Sequence, residues 1–359
     1  MGGERVTSGD ILFERRGVAG LVTLNRPQAL NAVSLAMVRA LTRQLAEWET
    51  DPDIARVLVT SNDTRAFSVG GDLRALYDLG RAGRYEEALG YFREEYALNA
   101  RIKGYRKPYV SLIDGIVMGG GVGISVHGSH RVAGDKFMFA MPEVSIGFFP
   151  DVGATFFLPR LPAAFGIYCA LTGERLDAAD AVAAGVATHR VPSAQFPDLI
   201  ETLCRAVPLD ASLAACARSA AHGPVVSHRT AIETLFTGEQ VEDILAALDA
   251  AGAAGAAGGA DAAFASAAVA LIRTKSPTSL KIALAQMRRG SALDFAECMR
   301  TEFRIVSRVV RGHDFYEGIR AVIIDKDQAP RWQPSTLAAV SAAEVERHFA
   351  PLASELELP

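Results

Sequence analysis

Cysteine is scarce and scattered: Cys169, Cys204, Cys216 and Cys298 are the only four in 359 residues, and no two stand at metal-ligand spacing. That excludes a disulfide framework and a zinc-finger type of site, and it fits reduced thiols in a cytosolic enzyme. No His-x-x-x-His pair takes their place, so no metal is expected. Long apolar runs are missing too, none approaching the ~20 residues a membrane helix requires. The opening Met1-Gly2-Gly3-Glu4-Arg5 lacks the apolar centre of a secretory signal and is short for an Arg-rich transit peptide, so a cytoplasmic location is expected. Neither sign of charge dominates: a net charge of -4 with 22% charged residues gives no general attraction to nucleic acid or to an anionic membrane. Gly-x-Ser-x-Gly, the dinucleotide pattern Gly-x-Gly-x-x-Gly and a terminal Gly-Lys-Ser/Thr are all absent. A serine nucleophile elbow, a Rossmann site and a P-loop are thereby excluded. Without such partners His127, His130, His189 and His313 read as structural or surface residues.

What is present, first, is an alternation of strand-like and helix-like segments. Residues 11–15, 18–24 and 57–60 read as strands, and Asn25-Arg26-Pro27 ends the second of them. Between the second and third, Leu35, Val38, Leu41, Leu45 and Trp48 recur at helical spacing over residues 34–49. Strand, helix and strand with short joints predict parallel crossovers. A further strand over 109–118 runs into a glycine turn and a helix around 121–127, and 131–133 and 136–140 read as short strands about a Gly134-Asp135 turn. After Gly153 the chain turns to Ala- and Leu-rich helices. One covers 176–184 and is ended by Gly185, an Ala/Gly stretch over 246–263 reads as a helix–loop–helix connection, and the tail from Ser276 is helical. The expected organisation is α/β: a flexible start over 1–10, a core with the site over 11–200, and a helical region over 201–359 packed on it.

Second, residues 118–151 concentrate the groups that chemistry needs. Met118-Gly119-Gly120-Gly121-Val122-Gly123 follows a strand and precedes a helix, and so does Phe67-Ser68-Val69-Gly70-Gly71-Asp72. A glycine turn at a helix start offers free N–H groups to developing negative charge, and two such turns can aim two N–H groups at one oxygen. The same glycines also suit plain close packing of helix on strand. Glu143 is flanked by Phe137-Met138-Phe139-Ala140-Met141-Pro142 and Val144-Ser145-Ile146, a setting that predicts partial burial and a raised pKa. Asp151, in Pro150-Asp151-Val152-Gly153, reads either as an acid of the site or as a helix N-cap. On a helix near 85–103, Glu95 borders the stripe of Leu89, Phe92, Tyr96 and Asn99, while Glu94 points away; spacing alone makes Glu95 an ordinary exposed charge.

Leu24-Asn25-Arg26-Pro27, Phe67-Ser68-Val69-Gly70-Gly71-Asp72, Gly119-Gly120-Gly121, Pro142-Glu143 and Thr172-Gly173-Glu174-Arg175, in this order, resemble the enoyl-CoA hydratase/isomerase (crotonase) superfamily. The resemblance implies a ββα spiral core, an acyl-CoA thioester ligand and commonly a homo-oligomer, a trimer or hexamer. It implies no cofactor beyond the coenzyme A of the substrate. It maps the two oxyanion-binding N–H groups onto Gly71 and Gly120. Hydratases of the family use two glutamates; here the first position is Gly123, and the second survives as Glu143. Further stretches, including Tyr91-Phe92-Arg93-Glu94-Glu95-Tyr96, Phe149-Pro150-Asp151-Val152-Gly153 and Arg311-Gly312-His313-Asp314-Phe315, extend the resemblance over nearly the whole chain. They are similar to the branch of the family that hydrolyses short branched 3-hydroxyacyl-CoA thioesters. That branch implies substrate contacts at Glu95, Gly120, Glu143 and Asp151, with Glu143 and Asp151 catalytic beside Gly71 and Gly120. Arg26 and Lys281 are the basic residues considered for coenzyme A. The expected activity is thioester hydrolysis, with hydration or isomerisation of an enoyl-CoA, and a non-catalytic acyl-CoA-binding protein, as the alternatives.

Overall fold

Among the described residues, eleven strands fall into two sheets whose order explains where the site must lie. The computed structural model describes residues 5–6, 9–219, 223–255 and 259–359. Most of the flexible start expected over 1–10, and part of the Ala/Gly connection, lie outside the described residues. The larger sheet contains β1 (Arg5–Val6), β2 (Ile11–Arg16), β3 (Ala19–Leu24), β4 (Arg56–Ser61), β6 (Tyr109–Ile113), β8 (His130–Ala133) and β11 (His189–Arg190), side by side in that order. The smaller contains β5 (Ala66–Ser68), β7 (Ile116–Met118), β9 (Met138–Ala140) and β10 (Leu176–Asp177), ordered β10-β9-β7-β5. From β3 to β11 the larger sheet is parallel, as the short joints predict, and its hairpin β2–β3 is antiparallel. Three times the chain passes from a strand of the larger sheet to its successor in the smaller: β4 to β5, β6 to β7 and β8 to β9. This is the ββα spiral.

Four expectations from the sequence differ from the structure. The run 109–118 is two strands in different sheets. Its corner is Gly115, at φ +89, where a β-carbon would come within 2.5 Å of the Arg65 carbonyl oxygen. An apolar run carries no mark of such a corner. Likewise β8 and β9 do not pair with each other; β8 pairs with β6 and β9 with β7, so the Gly134-Asp135 turn links two sheets and is not a hairpin. The helix expected over 176–184 starts later, at Ala178–Ala183, because Leu176 and Asp177 pair with β9. The helix around 121–127 shrinks to Gly120–Gly123.

Both faces of the larger sheet are covered, which is why β6 is buried at every residue. Val22, Leu24, Val57 and Val59 pack with Leu41 and Leu45 of the helix Leu35–Thr50 and with the helix Tyr85–Lys103. The alternate residues Leu21, Leu58, Val110 and Val132 pack instead against Phe196, Leu199 and Leu203. Ser34 caps the first of these helices by accepting the Met37 N–H at 3.3 Å. The C-terminal helices Pro277–Gly290, Phe295–Val309 and His313–Ile319 bury Leu280, Met299, Phe303 and Phe315 in the core that the sheet also fills. Among the described residues no single helix is long and apolar enough to cross a membrane.

Candidate active site

The carboxyl ends of β5, β7 and β9, three parallel neighbours, deliver three segments to one place. Past Ser68 the chain enters Val69-Gly70-Gly71, with Gly70 at φ +105, and Asp72 then caps the helix Leu73–Arg81. Past Met118 it enters Gly119, at φ +45, and the short helix Gly120–Gly123. Past Ala140, which pairs with Met118, come Met141, Pro142 and Glu143. Val33 bridges to Gly71 and binds the first turn on both sides: its N–H donates to Gly70 O and its carbonyl accepts from Asp72. Among the described residues, neither the Gly71 nor the Gly120 N–H is spent on a protein acceptor. A β-carbon placed on Gly120 would stand 3.2 Å from the Gly71 nitrogen and 2.5 Å from Glu95 Oε1. The two turns therefore face one narrow space with a carboxyl at its mouth.

That space opens into a cavity of about 280 Å³ lined by Gly71, Gly120, Glu95, Glu143 and Asp151. Its apolar wall includes Leu76, Phe92 and Phe148 and, from the C-terminal region, Val322 and Ile323, with Gln328 beside them. Phe148 stacks on Phe92 with ring centres 5.6 Å apart.

Glu95, an ordinary exposed helix charge by spacing alone, is 2% exposed in the structure, whereas Glu94 points outward and pairs with Arg39 at 2.6 Å. The Tyr91 hydroxyl lies 3.1 Å from Glu95 Oε1 and 3.0 Å from Val33 O. A phenol has one proton. If it donates to Val33, the bond to Glu95 requires the carboxyl to hold a proton of its own. Burial, then the nearby Asp151, push Glu95's pKa well above the usual carboxylate range. A neutral Glu95 is compatible with a negative oxygen developing next to it.

Glu143 is also buried, and its Oε2 has no hydrogen-bond partner among the described residues. Burial first, then Asp151, raise its pKa strongly. Asp151 does not act as the helix N-cap. Gly153 holds that place before Ala154–Phe157, with no side-chain cap on its own segment, and Asp151 Oδ2 accepts the Tyr96 hydroxyl at 2.9 Å. Burial raises Asp151 to about 7, with the Tyr96 bond working against the rise. An acid that titrates near neutrality both gives and takes a proton at little cost.

At Gly123, where the resemblance places the first glutamate of a hydratase, no side chain fits. A β-carbon would meet Val152 Cβ at 2.7 Å and Asn99 Nδ2 at 2.8 Å. Val152 reaches that position through a backbone at φ +52, a conformation that costs a β-branched residue about 1–3 kcal/mol. His127, read as structural, supports it: its Nε2 lies 2.6 Å from Val152 O, and burial lowers its pKa to about 4, so the ring is neutral and Nε2 carries the hydrogen.

The sequence reading missed the groups behind Asp151. Glu302, fully buried on the helix Phe295–Val309, accepts the Gly153 N–H at 2.8 Å and the Thr155 N–H at 2.9 Å. Burial and Asp151 raise it to about 8. Gln286 Nε2 donates to Pro150 O and lies 2.6 Å from Thr155 Oγ1. A signal existed: Cys298, Met299, Glu302, Ile305 and Val306 share one apolar stripe, so the charge at 302 falls on the buried face and not on the solvent side. Of the two basic residues considered for coenzyme A, Arg26 pairs with Asp72 at 2.8 Å, next to Gly71. Lys281 lines a different cavity and pairs with Glu242 at 2.7 Å.

The sequence profile of the enoyl-CoA hydratase/isomerase family matches residues 19–349, and the chain belongs to that family. It is similar to the mitochondrial 3-hydroxyisobutyryl-CoA hydrolases of Xenopus tropicalis, 42% identical over 98% of this chain and 92% of that protein. The protein of the same name from Homo sapiens is 41% identical over 96% and 89% respectively. Two solved structures share the fold. A carnitinyl-CoA dehydratase from Mycobacterium thermoresistibile has TM-score 0.91 at 41% identity, covering 98% of this chain and 99% of that one. An enoyl-CoA hydratase from Rhodobacter sphaeroides has TM-score 0.89 at 37% identity, covering 98% and 100%.

Proposed function

We propose that the protein hydrolyses a short branched 3-hydroxyacyl-CoA thioester, converting 3-hydroxyisobutyryl-CoA to 3-hydroxyisobutyrate and CoA, a step of valine breakdown. The observation that carries this is the filled space at Gly123, where Val152 and Asn99 leave no room for the first hydratase glutamate, together with Asp151 facing the cavity in its stead. The names of the curated relatives, matched along nearly their whole length, support the same reading.

In this mechanism the N–H groups of Gly71 and Gly120 form the oxyanion hole for the thioester oxygen. The two acids share one proton; with it on Asp151, Glu143 is ionised and attacks the carbonyl carbon, giving a mixed anhydride and releasing the thiolate of coenzyme A. Protonated Asp151 supplies the proton that makes the free thiol. As an ionised base, Asp151 then takes a proton from water while that water attacks the anhydride, restoring both carboxyls. Glu95, holding its proton, binds the substrate hydroxyl. A carboxylate suffices as nucleophile because the thiolate leaves readily and the hole stabilises the oxyanion. The cavity of about 280 Å³ suits the acyl group and thioester, so the nucleotide of coenzyme A lies outside it.

The names of the two solved structures favour a second reading, hydration of an enoyl-CoA on the same fold. Incubation with 3-hydroxyisobutyryl-CoA and a thiol reagent separates the two, since only hydrolysis releases free CoA. Absence of thiol over a panel of short acyl-CoA esters overturns the hydrolase reading. We further propose a homo-oligomer, a trimer or hexamer, to be weighed by light scattering. For the compartment, cytoplasmic residence rests on four cysteines that are all free, which suits the mitochondrion named for the relatives equally well. Cell fractionation decides between them.

A further inference from the structure

We infer that Glu302 is a positioning residue for Asp151: from a helix about 150 residues away, its carboxyl clamps the turn that aims the acid into the cavity. This rests on the hydrolase reading of the site. The four-residue helix after the turn has no cap of its own, and the Glu302 oxygens fill that role by accepting N–H groups at Gly153 and Thr155. The turn needs such a hold because Val152 and Gly153 both lie at positive φ, +52 and +88. His127 secures the Val152 carbonyl and Gln286 the Pro150 carbonyl, so Asp151 sits between two anchored residues.

Stability alone does not account for a glutamate here. Its carboxyl is fully buried, the charge of Asp151 disfavours its ionised form, and the groups that lower its pKa are the N–H donors of Gly153 and Thr155 and the side chain of Thr155, none of them a cation. An apolar residue would fill the space without that repulsion. What only the acid supplies is a pair of acceptors at a spacing that matches two N–H groups, which fixes the turn in one geometry.

The test uses the full-length enzyme with Glu302→Gln and Glu302→Asp. Gln keeps the shape but loses one acceptor; Asp keeps both and shortens the reach. The expected result for Glu302→Gln is a fall of about 10–100-fold in kcat, the range for a partner one step removed from the chemistry, with KM within about twofold of wild type. Glu302→Asp recovers part of the loss. Hydrogen exchange of the peptide spanning 150–157 speeds up in Glu302→Gln while the rest of the chain exchanges as in wild type. Wild-type kcat in a folded Glu302→Gln, or kcat and KM changing in parallel with exchange faster throughout, overturns the clamp. If Glu302→Gln does not fold, Glu302→Asp decides by the same split. Should the wild type release no thiol, the hydrolase reading falls. The clamp is then judged by exchange alone, where unchanged protection at 150–157 in the folded variant rejects it.

Discussion

The strand-end loops of the smaller sheet and the C-terminal helices contribute to the same cavity in opposite ways. Gly71, Gly120 and Glu143 lie within five residues of the strand that presents each. Each belongs to a short motif whose composition betrays it. Glu302 and Gln286 reach Gly153, Thr155 and Pro150 across 131–149 residues of chain, from helices without a motif. In the proposed mechanism the loops hold the groups that meet a substrate, and the helices hold the loops still. Chemistry is thus local in sequence here, and precision is not.

The largest effect that separates the two regions is expected at the loops. Glu143→Gln lowers thiol release by at least about 10³-fold while acyl-CoA still binds, measured by turnover and by calorimetry. A variant with undiminished turnover removes Glu143 from the mechanism. Gly120→Ala comes next, with about 10²–10³-fold in kcat, because the added methyl crowds the Gly71 nitrogen and displaces the oxygen from its two donors.

Stability gives a third contrast. Asp151 and Glu302 hold their protons to about 7 and about 8 when folded, against 3.8 and 4.5 for the free groups. Between those limits the folded state binds more protons than the unfolded one, so stability falls as pH rises from about 4.5 to about 8. Thermal melts across that range show the fall, and Glu302→Gln flattens it. A wild-type melting temperature that climbs steadily to pH 8 contradicts the assignment.

Gly123→Glu sharpens the comparison from the hydratase side. With Val152 and Asn99 in the way, it costs about 1–3 kcal/mol or more and yields no hydratase. A stable variant that hydrates enoyl-CoA shows that the space is available after all. The smallest effect belongs to Tyr96→Phe. Loss of the hydroxyl bond leaves Asp151 holding its proton to higher pH, so the basic limb of the kcat profile moves upward.

Much of this was legible in the residues. The strands around 19–24 and 56–61 follow from apolar β-branched runs, their parallel pairing from the helix between them, and the site from glycines and acids set after strands. Glu95 was not legible from spacing, because a border position on a helix does not say what packs beside it; only the resemblance marked it. The corner at Gly115 and the separation of β8 from β9 were hidden because pairing between strands is decided by the spiral and not by the nearest turn. Glu302 was the hardest to see. In Arg300-Thr301-Glu302-Phe303 it looks like one more surface charge until the whole stripe is counted.

The repeated passage from larger to smaller sheet also bears on how such a scaffold changes trade. Each turn of the spiral hands over one interchangeable part: a donor after β5, a donor after β7, an acid after β9. A residue at the end of one strand can be exchanged without disturbing the pairing of the next. On such a frame a change of reaction is a change of the residues carried after these strands together with what packs behind them, as Val152 and Asn99 pack behind Gly123.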